Sequence, residues 1–100
     1  MTLVPEIVDA NDLKTRLAQT INDVRKMSNQ FPDRSWLVSI QKQLEFVQTH
    51  IESGKPISDS DKQRLNFGLL ASKEMSGEND RLEDEIHAIS NYLRKIGAIK

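Results

Sequence analysis

Residues 34–75, RSWLVSIQKQLEFVQTHIESGKPISDSDKQRLNFGLLASKEM, decide the fold. Leu37, Ile40, Leu44, Val47 and Ile51 recur at 3-4-3-4 spacing, the rhythm of the inward face of a packed helix. Trp36 widens that stripe at its start, while Phe46 stands off it on the flank shared with His50. Gly54 suits the left-handed position beyond a helix end, and Pro56 follows where a helix cannot continue. The spacing therefore predicts a helix from about 35 to 53, capped by Asp33 or Ser35. Ser58 and Ser60 compete as N-cap of a second helix, predicted over about 59–75, with Asp59 and Asp61 near the positive end of its dipole. Leu65 and Leu69 lie on one side of this helix, and Phe67, Leu70, Ala71 and Met75 wrap round the other. Only Lys62, Asn66 and Lys73 form a polar strip. A helix so widely apolar sits centrally or is covered by a partner. Gly68 costs roughly 1 kcal/mol relative to Ala in a helix interior, which points to a close helix crossing.

Upstream, Leu13, Leu17, Ile21, Val24 and Met27 form a narrow stripe over 12–29, opposite Lys14, Arg16, Gln19, Asn22, Asp23 and Lys26. Phe31-Pro32 ends this helix, because the residue before Pro is pushed out of the α region. Leu3, Val4, Ile7 and Val8 fall off that stripe. Either they form a short helix begun by Pro5, or the chain bends near Asn11. Downstream of Ser76-Gly77, Leu82, Ile86, Ile89, Leu93 and Ile96 predict a last helix over about 79–96, ending at Gly97. Its first turns are acidic and its last turn, Arg94-Lys95, is basic, which complements the dipole. The expected fold is all-α: a small antiparallel bundle of about four helices in a single domain, residues 1–100.

Composition narrows the function by exclusion. Fourteen Lys/Arg nearly balance fifteen Asp/Glu, a net charge of −1. That argues against a nucleic-acid partner, which needs a basic surplus on one surface. There is no Cys, hence no disulfide, thiolate metal site or Cys nucleophile. No apolar run reaches the ~20 residues that span a bilayer, and MTLVPEIVDAND carries acids too early for a secretory signal. A cytoplasmic protein without membrane contact is expected.

The motifs of nucleophile elbows, phosphate loops, dinucleotide folds and zinc helices do not occur in the chain. His87 follows Glu83 by four and Asp84 by three, but the other half of a metal site is missing, so it reads as a solvated histidine in an acidic run. His50 reads as a surface or flank residue. Ser58-Asp59-Ser60-Asp61 lacks the spacing and glycine of a calcium loop, and helix capping explains it. No catalytic residue, metal or cofactor is expected. From Glu74 to Glu85 there are six acids against one base, Arg81. This is either a solvated helix start favoured by its dipole or a docking surface for a basic partner. Phe46, Phe67 and Leu70 read as core, with a partner role as the alternative.

The run from Gln41 to Met75 resembles a known bacterial family. Lys42-Gln43-Leu44 precedes an aromatic and a β-branched residue, Phe46 and Val47. About twenty residues later come Arg64-Leu65, Gly68, Ala71 and Lys73-Glu74, ahead of the acidic segment, and Phe31-Pro32 also fits. These features are similar to those of the small helical immunity proteins that neutralise NAD(P)+-glycohydrolase effectors of type VI secretion. The likeness covers roughly residues 30–85. It implies a non-enzymatic partner of a cognate toxin, acting in the cytoplasm by blocking the toxin's active site. Asp59, Asp61, Glu74, Glu78, Asp80 and Asp84 are then the expected contacts with the basic rim of a dinucleotide pocket. Two alternatives stay open. The narrow 3-4 stripes are compatible with a helical adaptor or homo-oligomerisation module, and the immunity role could be directed at a contact-dependent inhibition toxin.

Overall fold

Leu37, Ile40, Leu44 and Val47 are fully buried in the computed structural model, which describes residues 4–99. They line the inner face of α2 (Ser35–Ser53), which packs along α1 (Ala10–Gln30). Gly54, at φ 71°, ends α2 in the left-handed conformation that glycine adopts without strain. The chain then returns through α3 (Asp59–Arg64) and α4 (Phe67–Leu70), which runs on into a π-helical segment, Ala71–Met75. The last rod, α5 (Asp80–Lys95), packs against α1 on one side and against α4 and the π-helical segment on the other. The four rods close into an all-α bundle whose radius of gyration, 12.7 Å, matches the roughly 13 Å of a compact 100-residue chain.

The helix predicted over 59–75 is broken, and the break has a polar cause. Leu65 is extended (φ −81°, ψ 115°) and Asn66 sits at the cap of α4. From α2, the Gln43 amide meets Asn66 twice: the Asn66 backbone N–H donates to Gln43 Oε1 at 2.7 Å, and Gln43 Nε2 donates to Asn66 Oδ1 at 2.7 Å. A side-chain amide thus stands in for the helical carbonyl that the backbone gives up. Beyond the joint, the wider π-helical turn keeps residues four apart on one face, so Phe67, Ala71 and Met75 are buried together. Leu69 points outward and is 68% exposed. Gly68 makes the close crossing its composition implied: a Cβ there would lie 3.1 Å from Ser90 Oγ on α5.

Other ends differ in detail from the sequence expectation. Asp9, not Asn11, caps α1, accepting from the Asp12 N–H at 2.8 Å. Residues 4–9 form no helix; Val4 and Ile7 are buried while Val8 is exposed, and Leu3 lies outside the described residues. Neither Asp33 nor Ser35 caps α2: Arg34 holds the cap position without a side-chain cap bond. Ser58 prevails over Ser60 as the cap of α3, accepting from the Asp61 N–H at 3.2 Å. At the end of α5, Gly97 (φ 79°) turns the chain, and the Ala98 N–H donates to the Leu93 carbonyl at 2.8 Å, a Schellman closure. That turn leaves Ile96 half-exposed and folds Ile99 into the core in its place.

Candidate interaction surface

The six acids singled out in the sequence divide between the two ends of the bundle. Asp59 is exposed at the start of α3, 3.9 Å from Lys62, and Asp61 is half-buried beside it. Lys62 Nζ donates to the Gly97 carbonyl at 2.9 Å, which fixes α3 at the C-terminal end of α5. Glu74, Glu78 and Asp80 are exposed along the turn that leads into the opposite end of α5. α5 has sixteen residues, so the two groups stand roughly 24 Å apart along its axis. Glu78 pairs with Arg34 at 2.6 Å, and Asp80 accepts from the Gly77 N–H at 3.0 Å. Asp84, half-buried on α5, lines a groove of about 320 Å³ against the N-terminal arm. Glu74, Glu78, Asp80 and Asp84 are thus brought to one end, and Asp59 and Asp61 are not among them.

A larger cleft, about 500 Å³, opens between the second half of α1 and the start of α5. Thr20, Asp23, Met27, Phe31, Glu78 and Glu85 are among the side chains that shape it. Behind it lies a contact that the sequence reading missed. Arg16, assigned to the polar face, is only 9% exposed. Its Nε and one terminal nitrogen meet the Glu85 carboxylate at 2.7 and 3.2 Å, and the same terminal nitrogen donates to the Pro5 carbonyl at 2.7 Å. This fork ties the N-terminal arm, α1 and α5 together. The hydrogen bond to Glu85 is the main reason that the guanidinium pKa rises above its ordinary value; the Glu85 and Asp12 charges add to it, and burial opposes it. The signal was present in the spacing. Leu13, Arg16, Leu17, Thr20, Ile21 and Val24 are i, i+3, i+4, i+7, i+8 and i+11, a broad buried face on which four of the six residues are apolar.

A third groove, about 380 Å³, runs between α4 and α5 beside exposed Leu69. There His87 Nε2 lies 2.7 Å from Ser72 Oγ and 3.2 Å from the Gly68 carbonyl. A carbonyl can only accept, so this contact favours the tautomer with the proton on Nε2. In that state Nε2 cannot take a proton from Ser72, and the pair is a hydrogen-bonded strap between the π-helical segment and α5 rather than a nucleophile and its base. His50, half-buried, lies with Nδ1 3.1 Å from the Lys55 carbonyl and with its ring 4.6 Å from that of Phe46. Among the described residues, no three His, Cys, Asp or Glu side chains gather in a way that could hold a metal, and no helix is long and apolar enough to cross a membrane.

The model of the Tsi6 family matches residues 12–95. The chain belongs to the Tsi6 family. This is a family of type VI secretion immunity proteins, associated with the NAD(P)+-glycohydrolase effector Tse6. No curated protein and no solved structure matches the chain.

Membership changes how the recurring short motifs read. Gln43 forms the amide clamp on Asn66, and Gly68 gives α5 room to approach. Phe31 carries the Arg34 guanidinium 4.1 Å above its ring, next to the pair with Glu78. Each has a structural task within this bundle. These three family-like residues therefore describe how the scaffold is held.

Proposed function

We propose that this chain is the cytoplasmic partner of an NAD(P)+-glycohydrolase effector, which it binds and inhibits by covering the NAD(P)+ pocket. The match to the Tsi6 family over residues 12–95 carries this reading. The chemistry of the described residues agrees with a role by contact alone. The one serine–histidine pair described above is tied to a backbone carbonyl. Acids on the rim of a bundle suit a dinucleotide site, whose phosphate-binding groups leave a basic edge. Glu74, Glu78, Asp80 and Asp84 are the main contacts in this reading, with Asp59 and Asp61 at the far end meeting the toxin only if the interface spans the whole length of α5.

Co-expression with the catalytic domain of a cognate NAD(P)+-glycohydrolase effector tests the role: cells should survive and retain NAD+. Charge reversal tests the surface. Reversing Glu74, Glu78, Asp80 and Asp84 together should weaken binding at least tenfold and flatten its salt dependence, and reversing Asp59 and Asp61 should do less. Unchanged affinity in the folded fourfold variant would remove the acidic surface from the proposal. Failure of the unaltered chain to bind or to protect would remove the proposal itself.

A further inference from the structure

Residues 4–9 lie against α5 without helical structure. Among the described residues, no backbone–backbone hydrogen bond involves residues 4–8. Two side chains from neighbouring turns of α1 tie this arm down instead. A terminal nitrogen of Arg16 donates to the Pro5 carbonyl at 2.7 Å, and the Val8 N–H donates to Asp12 Oδ2 at 3.1 Å. Asp12 and Arg16 are themselves 3.5 Å apart, so the two ties form one latch. Val4 and Ile7 turn inward and are each 7% exposed. Ile7 belongs to the main core cluster and Val4 does not. Val4 lies instead on the groove of about 320 Å³ that remains between the arm and α5.

A segment with two inward side chains, no backbone ladder and open space beneath it separates from the fold at far less cost than a core helix. The match to the Tsi6 family begins at residue 12, so the arm lies outside the part of the chain that the family model describes. We propose that residues 4–9 are a strap that lifts off α5 as a unit while the bundle stays folded, with Asp12 and Arg16 as its latch. Arg16 suits this task because its grip on α5 does not depend on the strap. Its Nε and terminal nitrogen meet Glu85 at 2.7 and 3.2 Å, so letting go of Pro5 leaves that ion pair in place. Lifting bares Ala88, Asn91 and Tyr92 along α5, beside Asp84. The strap thus sets how much of this face α5 presents, whatever the partner, and the inference stands apart from the toxin reading.

The rival account makes the strap an inseparable part of the fold. The chain has no cysteine, so a single introduced thiol reports its own exposure. Val4→Cys reports the strap, and Val47→Cys, at a fully buried position on α2, reports global unfolding. With a small thiol reagent, and each rate normalised to that of the unfolded chain, Val4→Cys should react at least about tenfold faster than Val47→Cys. Arg16→Lys keeps a charge facing Glu85, but one ammonium does not reproduce the fork that also reaches the Pro5 carbonyl. It should widen the ratio of the two rates about tenfold further, the effect expected for a hydrogen bond to a charged group. Asp12→Ala cuts the tie to Val8 without touching the pair with Glu85, and should widen the ratio about fivefold. Equal rates for Val4→Cys and Val47→Cys overturn the inference, because the strap would then open only with the whole bundle. A ratio unchanged by both Arg16→Lys and Asp12→Ala also overturns it, because the strap would then be loose without a latch.

Discussion

α2 and the segment folded back along it, residues 59–75, carry similar apolar patterns and end up as different objects. α2 is one uninterrupted helix of nineteen residues. Its neighbour is a short helix, a joint at Leu65–Asn66, a second short helix and a π-helical turn. Hydrophobic spacing selects which residues face inward; it does not decide whether the backbone between them stays continuous. Continuity here is set by a polar group on the neighbouring rod, since Gln43 satisfies the Asn66 N–H that a continuous helix would have paired internally. The jointed rod also carries the most exposed apolar side chain of its half of the chain, Leu69. A continuous rod should respond to damage as a whole, and a jointed one piece by piece.

The sharpest way to break this contrast is at Phe67, the first buried residue beyond the joint and 1% exposed. Phe67→Ala should cost about 3–5 kcal/mol, because the cavity lies where α2, α4 and α5 meet and cannot close without moving a rod. Chemical denaturation checks it. A loss below about 1 kcal/mol would mean that the jointed segment contributes little to the global fold. Next in size comes Arg16→Met, which keeps the stem and removes the fork to Glu85. The half-buried carboxylate is left without its cation, at a cost of about 3 kcal/mol. Because α1 is continuous, the loss should appear as a lower global midpoint. The pH course has a definite sign. The folded pKa of Arg16 is raised above its ordinary value, so the charged pair's contribution is complete below the ordinary arginine range and declines only at higher pH. The difference between wild type and Arg16→Met should therefore stay flat from about pH 7 to 11.

These two positions also show what the sequence made legible. The all-α bundle followed from apolar spacing, and Leu13, Leu44, Ile89 and most of their stripe-mates are buried where that spacing put them, whereas Ile96 is 52% exposed and Met27 and Ile51 are partly buried. Arg16 was missed because a charged residue was assigned to the polar face by type, although its i+3 position from Leu13 placed it at the edge of the buried one. The break at Asn66 and the π-helical turn depend on contacts between residues 23 positions apart and on winding that no local pattern encodes. The acidic residues were visible as a run, but their division between opposite ends of α5 needed the path of the chain.

The smallest effect tests the joint itself. Gln43→Leu removes both bonds to Asn66 and the one to Ser39, while conserving bulk on a half-buried face of α2. Asn66 is exposed, so water takes over part of the pairing, and the cost should be only about 1 kcal/mol. Two outcomes could follow at the backbone. The segment could anneal into one helix through Leu65, or the joint could open locally. Ile57 before α3 and Phe67 after the joint are both buried, and a continuous helix would turn one of them out of the core. Local opening is therefore expected: exchange of the Asn66 amide should quicken about fivefold while amides in the middle of α2 keep their protection. An unchanged rate at Asn66 would mean that the two buried anchors alone hold the break, with Gln43 as no more than a surface contact.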